Sequence, residues 1–140
     1  MKNKVTPLPV AKKKVLIVDD DANVVEIISS MLREANYEVM EANYSLPALF
    51  SAARDIPDLM LVDIRMPIMN GLELIEQFKS YQETRNVPIV AITGMDTPEV
   101  RKAASRLGCV GFLPKPFDAK TFPDQIAAFL KSAPAAEVRK

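Results

Sequence analysis

The sequence predicts an α/β fold in which a parallel five-stranded sheet is covered by helices on both faces. Three observations carry this prediction. The strand-like segments are unbroken apolar runs without polar alternation, as expected of strands buried on both sides. Five such runs alternate with five segments of helical periodicity, the pattern of successive βαβ units with right-handed crossovers. The central run, Leu59-Met-Leu-Val-Asp63, ends abruptly on a carboxylate, and a turn containing Pro67 and Asn70-Gly71 follows it. Open α/β sheets place their ligands at the carboxyl ends of their strands. Taken alone, Asp63 reads equally well as a turn former.

Residues 1–13 show no periodicity and read as a basic, flexible tail. Residues 15–18 form a short β-branched run that ends on Asp19-Asp20-Asp21. Asp21 is placed to cap a first helix whose apolar face is Val24, Val25, Ile27, Ile28, Met31, Leu32 and Ala35. A second strand is expected over residues 37–40. Ser45 is expected to cap a second helix, with Pro47 in its first turn and Leu46, Leu49, Phe50 and Ala53 as its apolar positions, ending near Asp55. Pro57 and Asp58 lead into the central strand.

Asn70-Gly71 opens a third helix with apolar positions Leu72, Leu74, Ile75 and Phe78. Residues 87–93 read as the fourth strand. Thr97 caps a fourth helix that has Pro98 at its first position, runs to about Leu107 and is stopped by Gly108. Residues 109–113 make the last strand, and Lys115-Pro116 follows. In the final segment Pro123 fits a helix capped at Thr121 but not one capped at Asp118, where its missing amide would be needed. Thr121-Phe-Pro-Asp124 also has the form of a capping box with a shorter acid, so this helix is expected from about Phe122 to Lys131. One domain over residues 14–131 results, with 132–140 as a frayed end.

At 49% hydrophobic and 26% charged residues the composition is that of a globular protein, without an apolar run near the roughly 20 residues that a bilayer-spanning helix needs. A single cysteine, Cys109, lies in an apolar segment and reads as a packing thiol, so a reducing cytoplasm is the expected location. The net charge of zero conceals an asymmetry. Residues 15–131 hold eleven basic and seventeen acidic side chains, a net −6, while the lysines concentrate in the amino-terminal arm. Five lysines spread over fourteen residues with Pro7 and Pro9 read as a solvated lead-in, so DNA binding is not expected. The chain has no histidine, which excludes Ser-His-Asp and Cys-His nucleophile systems and histidine-based zinc sites.

Four strands end on groups that carry chemistry: Asp19 and Asp20 after the first, Asp63 on the third, Thr93 on the fourth, and Lys115 just past the fifth. Parallel strands bring all of these to one edge. Carboxylates gathered there raise one another's pKa unless a cation lies among them, and all-oxygen donors suit Mg²⁺. Mg²⁺ keeps part of its coordination for phosphate oxygens, while Thr93 and Lys115 offer a hydroxyl and a positive charge to the same group. Asp63 is then placed to be phosphorylated, a reaction governed by positioning and charge neutralisation that needs no histidine in this chain.

Val15-Leu-Ile-Val-Asp-Asp20, Leu61-Val-Asp-Ile-Arg-Met-Pro-Ile-Met-Asn-Gly71, Ile92-Thr93-Gly94 and Phe112-Leu-Pro-Lys-Pro-Phe117 resemble, in order and spacing, the signature blocks of the response-regulator receiver domain of two-component signalling, over about residues 13–131. The resemblance implies a flavodoxin-like (βα)5 three-layer sandwich with strand order 2-1-3-4-5. It implies Asp63 as acceptor of a phosphoryl group from a partner's phosphohistidine. It further implies Mg²⁺ held by Asp20, Asp63 and the backbone carbonyl of Arg65, with Asp19 acting through a metal-bound water, and phosphoryl oxygens held by Thr93 and Lys115. A cis bond before Pro116 and a switch pair of Thr93 and Phe112, the aromatic turning inward as the threonine moves, belong to the same pattern. As a residue, Phe112 also reads as an ordinary core aromatic.

Gly94 stands where alanine is more familiar in that family, so a more open loop is expected. The resemblance also implies that Arg65 and Met95 fall at the two positions flanking the path of hydrolytic water, and as long side chains they are expected to slow loss of the phosphate. The expected protein is a stand-alone phosphoacceptor that does not act as an enzyme on other substrates. Its donor would be a sensor histidine kinase or a histidine phosphotransfer protein, and it would act, as a monomer or a phosphorylation-dependent dimer, on an output protein through the surface of helix 4, strand 5 and helix 5. The alternatives are a receiver cut from a longer hybrid regulator, a Mg²⁺ phosphatase of the haloacid dehalogenase type, and a binding module with a dead site. Against the phosphatase stand Ala22-Asn23 after Asp19-x-Asp21, where Asp-x-Asp-x-Thr or Val is wanted; against the dead site stands the full set of site residues.

Overall fold

The computed structural model describes residues 12–132; most of the amino-terminal arm and the carboxyl-terminal tail lie outside the described residues. The elements alternate as β1 (Lys14–Val18), α1 (Ala22–Glu34), β2 (Glu38–Ala42), α2 (Ser45–Arg54), β3 (Leu59–Asp63), α3 (Gly71–Ser80), β4 (Ile89–Thr93), α4 (Pro98–Arg106), β5 (Gly111–Pro114) and α5 (Phe122–Lys131). The sheet is parallel throughout and ordered β2-β1-β3-β4-β5. This is the expected flavodoxin-like arrangement, with β1 and β3 as neighbours at the point where the chain changes direction across the sheet.

Side chains of successive strand residues point to opposite faces, so each apolar run feeds two cores. Leu16, Val18, Met60, Val62 and Ile89 pack with Ala48 and Ala52 of α2 and with Leu74, Ile75 and Phe78 of α3. Val15, Ile17, Leu59, Leu61, Val90, Ile92 and Leu113 meet Val25, Ile28 and Leu32 of α1 and Phe122 and Ile126 of α5. A smaller cluster of Ile64, Ala91 and Ala104 seats α4 beside the first group. Every residue of β3 and β4 is buried, which is why their sequences are apolar without alternation.

The caps explain most of the helix starts. Asp21 accepts from the amides of Asn23 and Val24, Thr97 from that of Val100, and Asn70 with Glu73 forms a reciprocal capping box at α3. Gly108 ends the α4 segment with φ +95°, a conformation that favours glycine.

Several expectations are corrected. β2 begins one residue later and runs two further than predicted, while β4 and β5 begin two residues later, at Ile89 and Gly111. Ser45 is the first residue of α2 and not its cap; its hydroxyl donates to the carbonyl of Met69, tying α2 to the β3–α3 loop. Thr121 does not cap α5 either. It has helical backbone angles and makes no side-chain cap bond, and the entry to α5 is a turn in which the amides of Thr121 and Phe122 donate to the carbonyl of Asp118.

The face of α2 is also rotated from expectation. Ala48 and Ala52 are buried and let the helix approach the sheet closely, while Leu46 and Phe50 are 57% and 66% exposed. Together with Leu49, Ala53 and Tyr81 they border an apolar cleft of about 400 Å³. Ile27 of α1 likewise faces out.

Gly71 sits against the end of the central strand. Its amide donates to the carbonyl of Ile64 at 2.8 Å, and a Cβ there would fall 2.0 Å from the backbone oxygen of Asp63 and 2.6 Å from Cα of Ile64. Those atoms are backbone and cannot swing away. Gly71→Ala is expected to cost about 3 kcal/mol, the upper part of the range for overpacking, read as a lower urea midpoint. A midpoint within error of wild type would show that the approach is looser than described.

Candidate functional site

Parallel pairing fixes where the strands stop, and the stopping points make the site. Val18 is in register with Val62, Asp63 with Ile92, and Thr93 with Pro114, so Asp19, Asp63, Thr93 and Lys115 come out along one edge. Backbone bonds hold these ends together: Asp19 donates to the Ala42 carbonyl at 3.2 Å, Ile64 to Ile92 at 3.0 Å and Lys115 to Thr93 at 2.8 Å. The peptide bond between Lys115 and Pro116 is cis.

Asp19, Asp20 and Asp63 each bring a carboxylate oxygen to within 4.8 Å of the others. Asp19 is fully buried and Asp63 is 4% exposed, whereas Asp20 faces solvent. Lys115 Nζ lies 2.8 Å from Asp19 Oδ2 and 3.8 Å from Asp63 Oδ1. The first contact is a close ion pair with a carboxylate that is fully buried. Asp19 Oδ1 accepts from the Asp21 amide at 2.9 Å, and Asp63 Oδ1 from the Arg65 amide at 3.3 Å.

Burial, and after it the charge of Asp19, push the Asp63 carboxyl up to about 7, against the opposing pull of Lys115. Burial alone would lower the Lys115 ammonium, but the contacts with Asp19 and Asp63 outweigh it and the group is raised above its ordinary value. The site is thus short of positive charge, and its donors are all carboxylate oxygens. Both features fit a hard divalent cation at Asp19, Asp20 and Asp63.

Thr93 is buried, and its hydroxyl oxygen accepts from the Met95 amide at 2.9 Å. Gly94 is exposed, and a Cβ there would meet nothing within 4 Å, so neither space nor backbone angle requires glycine. The Arg65 guanidinium donates to the sulfur of Met95, joining two exposed side chains from opposite sides of the site. Phe112 is half-buried against the cluster that seats α4. Cys109 is partly buried and its thiol is pushed up to about 11 by that burial, as suits a packing role.

Two residues escaped the sequence reading. Arg101, in the first turns of α4, forms a bidentate pair with Asp96 and lies 4.5 Å from the ring centroid of Phe112. The Asp-x4-Arg spacing is no standard helical pair, and Phe112 comes from another element, so no local pattern signals the contact.

The family model described as the response regulator receiver domain matches residues 15–127. A 105-residue stretch is 37% identical to the response regulator PleD of Caulobacter vibrioides; it covers 75% of this chain but only 23% of PleD's own length. The polar-differentiation response regulator DivK of Brucella ovis is 29% identical over 86% of this chain and 98% of its own. Among solved structures, the receiver domain of the sensor histidine kinase PA1611 from Pseudomonas aeruginosa, with a magnesium ion coordinated in its active-site cleft, superposes with a TM-score of 0.79 at 26% identity, over 86% of this chain and 99% of that one. Among the described residues no helix is long and apolar enough to cross a membrane.

Proposed function

Because the chain belongs to the response regulator receiver domain family, we propose that it is a phosphoacceptor switch in which Asp63 takes a phosphoryl group from a phosphohistidine of a partner kinase or phosphotransfer protein. The observation that carries this reading is the meeting of three carboxylates, two of them buried, beside Lys115 at the carboxyl edge of the sheet. Asp20, Asp63 and the backbone carbonyl of Arg65 would hold Mg²⁺, with Asp19 behind them. Bound there, the ion offsets carboxylate charge and neutralises phosphoryl oxygens.

The protein's own residues do the rest. A carboxylate oxygen of Asp63 attacks phosphorus as the P–N bond to the donor histidine breaks; the imidazole leaves with the bonding pair and takes a proton from water. Lys115 favours the ionised form of Asp63 and then pairs with a phosphoryl oxygen. Thr93 gives up the Met95 amide and donates its hydroxyl to another. That movement draws on the β4–α4 loop, and Phe112 follows it inward, changing the surface of α4, β5 and α5 that an output protein reads. Such a switch biases two states that already exist.

Incubation with Mg²⁺ and phosphoramidate, whose P–N bond imitates the donor, should add one phosphoryl group by intact mass, and EDTA should prevent it. No gain under any Mg²⁺ concentration would contradict the reading. Arg65 and Met95, in contact over the site, are placed to shield the phosphate from water. Replacing both with alanine should shorten the lifetime of the phosphorylated form about tenfold, equivalent to about 1.4 kcal/mol of barrier. An unchanged lifetime, followed by the same mass measurement over time, would contradict the shielding.

A further inference from the structure

We propose that Arg101 is a positioning residue that latches the unphosphorylated arrangement, tying the β4–α4 loop and Phe112 to one guanidinium; the proposal rests on the phosphoacceptor reading above. Arg101 Nε donates to Asp96 Oδ1 at 2.6 Å and Nη2 to Asp96 Oδ2 at 3.0 Å, a fork matched to a fork. The guanidinium carbon so fixed lies over the Phe112 ring, 4.5 Å from its centroid. Asp96 is the residue after Met95, whose amide holds the Thr93 hydroxyl at 2.9 Å. One side chain therefore touches both moving parts of the switch, the loop that follows Thr93 and the aromatic ring on β5.

Position and charge explain why the latch can open. A cation in the first turns of a helix is disfavoured by the helix dipole, so Arg101 depends on Asp96 for its placement. The pair is exposed, and exposed pairs are weak and screened by salt. When Thr93 turns toward a phosphoryl oxygen it releases the Met95 amide, the loop shifts, and Asp96 shifts with it. Inward rotation of Phe112 removes the ring from the guanidinium. Each movement breaks one half of the latch, so the latch opposes both until phosphate holds Thr93. A latch of this strength lowers the fraction of molecules in the phosphate-ready state, and the apparent rate falls in proportion.

Arg101→Ala should therefore take phosphate from phosphoramidate roughly 3–10-fold faster than wild type, the scale expected of one weak pair and one exposed cation–π contact. Asp96→Asn should accelerate it less, because the amide oxygen can still accept one hydrogen bond from the guanidinium and hold it near Phe112. Arg101→Lys should resemble Arg101→Ala, since an ammonium cannot form the two-pronged contact with Asp96. In the unphosphorylated protein, the amide shifts of Gly94, Met95 and Asp96 should move in each variant along the line joining the wild-type unphosphorylated and phosphorylated positions. A merely structural role for Arg101 would change the melting temperature without that displacement.

Wild type that takes phosphate while folded Arg101→Ala and Asp96→Asn take it at the same rate or more slowly would overturn the latch alone. Wild type that takes none would overturn the phosphoacceptor reading and the latch with it.

Discussion

Asp63→Asn should abolish phosphoryl uptake and yet make the metal-free protein more stable than wild type, by about 2 kcal/mol at pH 8. The reason is electrostatic. Asp63 is raised from 3.8 to about 7 in the folded protein, so between those values the folded state holds a proton that the unfolded state has released. Stability contributed by this group is complete below 3.8 and is lost as pH rises through about 7. Above that, the cost of keeping a charged Asp63 buried, and beside Asp19, is fully present. Three pKa units correspond to about 4 kcal/mol, and the amide that replaces the carboxylate brings its own burial cost, which leaves about half. Urea titrations in EDTA at pH 5 and pH 8 should show the variant gaining chiefly at pH 8. Equal midpoints at pH 8 would mean that Asp63 carries no such strain. With Mg²⁺ present, the advantage of the variant should shrink, because the ion stabilises only the chain that binds it.

Lys115→Met is expected to act in the opposite direction on stability and in the same direction on activity. Lys115 Nζ is the cation nearest the two buried acids, at 2.8 Å from Asp19 and 3.8 Å from Asp63. Removing one member of a fully buried ion pair costs about 3–5 kcal/mol; with its side chain 23% exposed, Lys115 should count for about 2 kcal/mol in EDTA. The loss should grow as pH rises above about 7, where Asp63 takes on the charge that the lysine balances, and should fade only at a pH high enough to deprotonate the raised lysine. Without Lys115 the Asp63 carboxyl should titrate higher still. Phosphoryl uptake should fall about 10²–10³-fold, the scale seen when one preorganised charge-stabilising donor is removed. Urea midpoints and the rate of mass gain with phosphoramidate check the two halves separately. A variant as stable as wild type in EDTA would show that the lysine does not balance these acids.

The two predictions share a physical premise, that the site is built under electrostatic strain and is completed by a cation and a phosphate. Much of that premise is legible in the sequence because it depends on where parallel strands end. Asp19, Asp63, Thr93 and Lys115 each follow an apolar run, and register then leaves little freedom in bringing them together. Helix starts with a side-chain cap are legible for a similar local reason, as at Asp21, Asn70 and Thr97. The misread positions are those decided by packing across the fold. Leu46 and Phe50 are more apolar than Ala48 and Ala52, but the small side chains let α2 settle onto the sheet, and the large ones were left outside. Ser45 and Thr121 have the right chemistry for caps; the Met69 carbonyl claims the first, and the turn from Asp118 makes the second unnecessary. The reach of Arg101 to Phe112 joins α4 to β5 and leaves no periodic trace in either.

The most direct test of the central claim is to locate the phosphate. After incubation with Mg²⁺ and phosphoramidate, borohydride reduces an acyl phosphate to an alcohol, so a phosphorylated aspartate becomes homoserine. Peptide mapping of the trapped protein should find homoserine at position 63, and none when Mg²⁺ is withheld or in Asp63→Asn. Homoserine at another aspartate, or a phosphorylated protein in which borohydride leaves residue 63 unchanged, would contradict the assignment of Asp63 as the acceptor.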